Sequence, residues 1–187
     1  NMSIIDGITI AKHLQSLYPN INIIAEDLGE LFPSVHELRD HYNLPGMYIT
    51  EFTVFDYSNP SKDTQIVYPG THDNDTLMTW QKVMRPEDRR YAEKYLGLKE
   101  GDDLRIPVIR AGMMSVSDLF VCQMQDYLGL DAESRMNRPG IMDGKNWTWR
   151  LKKNQINDKL AKKIKTLTID NNRNNTINTI NSIRLFT

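Results

Sequence analysis

The chain has 187 residues, a formal net charge of −1, 40% apolar residues and 25% charged residues. Near-neutral charge without a basic block gives no reason to expect a nucleic-acid partner, and no apolar run approaches the roughly 20 residues that a membrane span needs. A single cysteine, Cys122, excludes an internal disulfide framework, and with no signal-like start this favours the cytoplasm.

In chain order, Ile8, Leu14, Leu17 and Tyr18 have helical spacing and stop at Pro19. Residues 21–25 are short, continuous and apolar, as in a strand buried on both faces. Pro33 and Ser34 open a helix through about Tyr42. Leu44-Pro45-Gly46 is a turn, and Met47 to Phe55 reads as the next strand. Pro60 lies in a polar loop, followed by a third strand over Gln65 to Tyr68. Asp75 has the character of an N-cap before a helix over Thr76 to Val83. Pro86-Glu87-Asp88 opens another helix, with proline and acids in its first turn, which ends at Gly97. A further helix covers Ile106 to Met114, and Leu119 to Met124 reads as a fourth strand. The chain is then loop to about Trp149, with a charged helix from Gln155 to about Leu167. An Asn-rich stretch closes the sequence, so the expected organisation is one unit over 1–168 and a flexible tail over 169–187. Strands alternating with helices imply a parallel sheet with helical crossovers, and about four strands amount to half of a (β/α)8 barrel.

Chemistry-bearing residues collect where strands end. Gly70-Thr71-His72-Asp73-Asn74-Asp75-Thr76 follows the third strand, and Glu26-Asp27-Leu28-Gly29 follows the first. Carboxylates facing one sugar are what glycosidic-bond chemistry requires. A strand-end carboxyl such as Glu26 can be partly desolvated, which suits a general acid, although a surface or cap role is the plainer reading of its local sequence. Asp27 is adjacent and should point to the opposite side, so one of these two carboxylates is structural. His72 beside Asp73 is the stronger pair. A metal role for His72 is disfavoured because no second histidine lies at ligand spacing. His13, His36 and His41 fall in predicted helices and read as surface or satisfied residues. Asn137 follows the fourth strand in an Asn-x-Pro-Gly turn and is a candidate substrate contact. Trp147 and Trp149 with Arg150 read as a hydrophobic plug first and a sugar-stacking platform second.

Five motifs then converge. Ile23-Ile24-Ala25-Glu26-Asp27-Leu28-Gly29, Leu44-Pro45-Gly46-Met47, Gly70 to Thr76, Arg135-Met136-Asn137-Arg138-Pro139-Gly140 and Asn146-Trp147-x-Trp149-Arg150 come in this order along the chain. Together they resemble the amylomaltases, the 4-α-glucanotransferases of glycoside hydrolase family 77. The resemblance implies the C-terminal half of a (β/α)8 TIM barrel, about strands 5 to 8 with their helices. It also implies transfer of α-1,4-glucan segments between maltooligosaccharides by a retaining double displacement. It maps the general acid/base onto Glu26 and the transition-state-stabilising aspartate onto Asp73. His72 and Asn137 become substrate contacts, and Asp56 does so on a looser alignment. No metal or organic cofactor is implied. The implied partners are α-1,4-glucans and either the N-terminal half of the barrel or a second copy.

The resemblance also carries a departure. The family's nucleophile is an aspartate in an Arg-x-Asp-His context upstream of the acid/base glutamate. Asp6 is the only aspartate before Glu26, and its neighbours Ile5 and Gly7 do not match. The expectation is therefore a piece of a longer protein or a truncated product that is inactive alone. Asn1 ahead of Met2 reads as a cut edge or tag remnant. A glucan-binding or assembly fragment without catalysis is the alternative.

Overall fold

The computed structural model describes residues 4–55 and 60–173. Asp56 falls outside them, as does the Asn-rich sequence beyond Arg173. The elements are α1 (Ile4–Leu17), α2 (Pro33–His41), β1 (Gly46–Ile49), α3 (Thr50–Thr53), β2 (Gln65–Tyr68), α4 (Leu77–Val83), α5 (Pro86–Tyr95), α6 (Arg105–Met113), α7 (Met124–Leu128), a 3-10 turn (Ala132–Ser134) and α8 (Asp158–Asp170). None of the described helices is long and apolar enough to cross a membrane.

The sheet is parallel, as the strand–helix alternation requires. β1 pairs with β2 in the register Gly46 to Gln65 through Ile49 to Tyr68. The other two predicted strands flank this pair but form almost no ladder. Ala25 donates its N–H to the Pro45 carbonyl at 2.9 Å, and this is the link from residues 21–25 to the β1 side. Ile21, Ile23 and Ile24 are half-exposed, not buried on both faces. On the other flank Phe120 bridges Val67 in parallel, with bonds from Val67 N–H to the Leu119 carbonyl (3.1 Å) and from Val121 N–H to the Val67 carbonyl (2.9 Å). The expected strand over Leu119 to Met124 is thus cut short. Gln123 already has an extended N-cap conformation and α7 begins at Met124. Gly112 in α6 permits the approach of Phe120, because a Cβ there would collide with the Phe120 ring.

The second expected strand also ends early. The ladder stops at the Ile49–Tyr68 pair. The Pro69 carbonyl still accepts the Glu51 N–H at 3.0 Å. Beyond that bond the chain coils into α3 and leaves Phe52 exposed. Val54 (φ 45°) and Phe55 (φ 60°) then adopt left-handed backbone, an arrangement costing on the order of 1–3 kcal/mol per residue. Burial of Phe55, its stacking on Tyr95 at 4.6 Å, and the Tyr91 hydroxyl donating to its carbonyl offset that strain.

One apolar core joins α4, α5, α6 and α8. Leu77, Trp80, Ala92, Leu104, Val108, Ile109, Met113 and Leu167 form it together with Phe55. The Gln81 side chain ties α4 to the start of α6, accepting from Leu104 N–H at 2.8 Å and donating to Asp103 at 3.2 Å. Asn157 caps α8 by accepting the Leu160 N–H at 3.0 Å. This helix starts and ends about three residues later than expected, and the Arg173 guanidinium beyond it donates to the carbonyls of Met113 and Ser115 at 2.6 and 2.7 Å.

Candidate active site at the ends of the parallel strands

The first acidic segment separates its two carboxylates. Asp27 is nearly buried and fully committed. It accepts the Met47 N–H at 2.7 Å and pairs with Arg39. Gly46 leaves the room for it, since a Cβ there would run into the Asp27 carboxylate. Asp27 is therefore a brace for the start of β1, and is the structural one of the two adjacent carboxylates. Glu26 faces the other way and is exposed, in contrast to the partial desolvation that its strand-end position suggested. Burial, with the Glu26 charge added, pushes the Tyr68 hydroxyl above its ordinary pKa. Glu26 thus lies within electrostatic reach of the C-terminal end of β2.

The second segment is a turn closed on itself. Asn74 Oδ1 accepts both the Thr71 N–H (2.9 Å) and the Thr71 hydroxyl (2.8 Å), and Thr71 Oγ1 accepts the Asp73 N–H at 3.2 Å. Asparagine serves such a turn because its short side chain reaches the local backbone. Gly70 is obligatory here: a Cβ would meet Glu51 Oε1 at 2.7 Å. The closed turn leaves His72 and Asp73 outside it, with side chains 45% and 37% exposed. Asp75 was expected to cap α4, yet the cap is Thr76, whose hydroxyl accepts the Thr79 N–H at 3.4 Å. Asp126 Oδ1 accepts the Leu77 N–H at 2.8 Å and completes that helix end. Asp75 instead pairs with Arg135 at 3.0 Å.

The third segment docks onto the second. Asn137 donates its N–H to the His72 carbonyl at 3.0 Å and its side-chain amide to Asp73 Oδ1 at 2.6 Å. His72 Nε2 lies 3.2 Å from the same oxygen. Arg135 donates to the carbonyls of Asp73 and Asn137 while pairing with Asp75, so one guanidinium locks both loops. Asn146 closes the Pro139-Gly140 loop through bonds to the backbone of Arg138 and Ile141. Trp147 N–H reaches the Met136 carbonyl at 2.7 Å, and the Trp147 ring lies 5.0 Å from the His72 ring. At 54% exposure Trp147 is no plug. It extends the His72 edge as an open aromatic surface, whereas Trp149 is half-buried.

His72, Asp73 and Asn137 therefore meet in one place, and Glu26 stands near the strand end from which their turn departs. Asp73 Oδ1 takes two neighbours, which leaves its second oxygen to accept further hydrogen bonds. Beneath the turn lies a group the sequence reading did not find. Glu51 is raised to about 9, first by burial, then by the charges of Asp126 and Asp75, with Arg135 and an Asn74 hydrogen bond opposing. Asp126 is raised to about 6, again mainly by burial. The signal for Glu51 was an acid two residues past a strand, with the glycine that makes room for it nineteen positions further on. Among the described residues, no group of three or more His, Cys, Asp or Glu is placed to hold a metal ion. A concavity of about 800 Å³ lies at the opposite ends of the strands, among Ile21, Ile24, Leu44, Ile66 and Leu119, and contains none of the expected site residues.

A family model for 4-alpha-glucanotransferases matches residues 7–156. The 4-alpha-glucanotransferase of Synechocystis sp. is 38% identical over 161 residues, covering 82% of this chain and 32% of that protein. That of Thermus thermophilus is 35% identical over 158 residues, covering 78% and 31%. Among solved structures, the amylomaltase from Streptococcus agalactiae in complex with acarbose superposes with a TM-score of 0.80 at 30% identity, covering 89% of this chain and 35% of the other. The chain thus spans about a third of the length of these relatives. Its match over most of its own length, at this level of identity, places it in the 4-alpha-glucanotransferase family.

Proposed function

We propose that this chain supplies part of the active site of a 4-α-glucanotransferase, as about strands 5 to 8 of a (β/α)8 barrel. The observation that carries the reading is the joining of Asp73, His72 and Asn137 at the C-terminal ends of parallel strands. That end is where barrel enzymes place catalytic loops. The amylomaltase that superposes on this chain was solved with acarbose bound, which supports an α-glucan as the ligand of the matching surface.

In this reading Glu26 protonates the leaving glycosidic oxygen and then takes the proton from the incoming 4-hydroxyl of an acceptor glucan. Its exposure in the chain alone leaves it open to a sugar. Asp73 accepts hydrogen bonds from the reacting sugar through the oxygen that Asn137 and His72 leave free. Those bonds strengthen as oxocarbenium character develops. His72 and Trp147 present a ring edge and an aromatic face to the same sugar. Asp56 is retained as a further glucan contact on the family motif alone. Retaining chemistry also needs a nucleophilic carboxylate, which the reading assigns to chain beyond these 187 residues. Transfer in place of hydrolysis requires the acceptor sugar to exclude water from the intermediate. The remaining partner would be the N-terminal half of the barrel or a second copy.

The test is disproportionation of maltotriose by the enzyme that contains this chain, with and without Glu26→Gln. Glucose and longer oligosaccharides should form only with Glu26 intact. Absence of any transfer by the unmodified enzyme would overturn the reading. Maltooligosaccharide binding without turnover would favour the glucan-binding alternative.

A further inference from the structure

Two buried carboxyl groups lie under the site: Asp126, which caps α4, and Glu51, which has none of the roles above. Glu51 Oε1 and Asp126 Oδ2 are the carboxyl oxygens that, among the described residues, are buried with no hydrogen-bond partner. Glu51 follows β1 by two residues, anchored by its N–H to the Pro69 carbonyl. Its carboxyl occupies the space that a side chain at Gly70 would fill, and Asn74 Cβ borders the same space. The Asn74 amide oxygen is used twice on Thr71. The Glu51 carboxyl and the Asn74 side chain thus meet against Gly70, where the turn begins.

We infer that Glu51 is a positioning residue of the site: its carboxyl, packed against Gly70 beside Asn74, sets the shape of the Thr71–Asn74 turn and so the aim of Asp73. The inference rests on the glucan-transfer reading for its catalytic consequence and on geometry alone for its structural one. The strut has to be uncharged to serve. The groups facing it are Asp126 from α7, Asp75 from the turn before α4 and Arg135 from the loop that carries Asn137. Burial acts first, and two carboxylates outweigh one guanidinium, so Glu51 keeps its proton through neutral pH. Ionisation places a third negative charge beside Asp126 and Asp75. That charge pulls the Asn74 amide and the Arg135 guanidinium toward Glu51, and both hold the loops that meet at Asp73.

Two readouts separate this inference from the functional reading. The first uses carbon-13-labelled glutamate in the 187-residue chain, with Glu51→Gln identifying the resonance. The Glu51 carboxyl carbon should titrate well above neutral pH, and the Asn137 side-chain amide resonance should follow the same titration. A Glu51 carboxyl that ionises in the ordinary carboxylate range, or an Asn137 amide indifferent to it, overturns the inference whether or not any glucan is transferred. The second uses the enzyme containing the chain. Glu51→Gln should keep neutral-pH kcat and extend activity to higher pH, since an amide keeps the strut and cannot ionise. Glu51→Ala should lower kcat by about tenfold or more with a smaller change in KM, as expected when a reacting group is misaimed. An alkaline limb unchanged in Glu51→Gln, or equal kcat in the Gln and Ala variants, would also overturn it.

Discussion

Asn137 donates its side-chain amide to Asp73 Oδ1 at 2.6 Å across 64 positions of sequence. The bond fixes which oxygen of Asp73 stays open to a ligand. Asn137→Ala should therefore lower glucan transfer, because hydrogen bonds to charged groups are worth about 1.5–3 kcal/mol. In a double-mutant cycle with Asp73→Ala, the Asn137 substitution should cost little once Asp73 is gone. Additive losses in kcat/KM would show that the two residues act on the substrate independently.

Glu26→Gln should abolish transfer and leave folding intact. General acid catalysis is typically worth about 10²–10⁴-fold. A variant retaining more than about a tenth of the unmodified rate is incompatible with an acid/base role. Azide should restore part of the lost turnover by acting as a small external nucleophile.

Asp73→Asn should reduce kcat far more than it weakens substrate binding. In the proposed function its hydrogen bonds to the reacting sugar gain strength as positive charge builds on the ring. A higher KM with kcat unchanged would mark Asp73 as an ordinary binding residue.

The 187-residue chain by itself should disproportionate no maltooligosaccharide and should self-associate. Ile21, Ile23 and Ile24 are half-exposed beside β1, and Phe32, Phe52 and Met142 stand in solvent. An incompletely paired sheet edge with apolar surface invites a partner. Sedimentation velocity at micromolar concentration should give dimers or larger species. A soluble monomer would argue against a half-barrel, and robust disproportionation would argue against a missing nucleophile.

Asp126→Asn should stabilise the fold at pH 8 relative to the unmodified chain, with the advantage shrinking toward pH 4. Burial raises Asp126 from 3.8 to about 6, so the folded state favours its protonated form. That stabilisation is fully present below the unfolded value and is lost as pH rises through about 6. Asparagine keeps an oxygen for the Leu77 N–H and carries no charge. Thermal unfolding of both proteins across this range measures the difference, and a constant gap in Tm would refute it.

The site was legible where one local motif carries its own geometry. Gly70, Thr71 and Asn74 encode a turn within five residues, so His72 and Asp73 could be read directly. Parallel pairing was legible in the same way, from apolar runs separated by helical spacing. What escaped depends on distant neighbours. Residues 21–25 and 119–124 read as strands by composition, but the first forms no strand of the described sheet and the second pairs only at the Val67–Phe120 bridge. The α7 helix begins on the last residue of the expected strand and runs through a stretch read as loop, where Asp126 turns back to cap α4. Asp75 and Thr76 are equally good caps by residue type, and the Arg135 pairing decides between them. Glu51 fell unremarked within the expected strand over Met47 to Phe55, and nothing local reveals the Asp126 and Asp75 carboxylates that face it.

Pro69 works as a zipper stop on one flank of β2. Backbone groups alternate sides along that strand, so Thr64 serves Gly46 of β1 while Val67 serves Leu119 and Val121. The N–H that proline lacks falls on the Val121 side, one step beyond the Val67–Phe120 bridge. A residue with a donor there would offer the Val121 carbonyl a second rung and lengthen the third strand toward α7. One missing hydrogen thus keeps that strand to a single bridge and leaves the chain to turn into α7, whose Asp126 caps α4 beside the site.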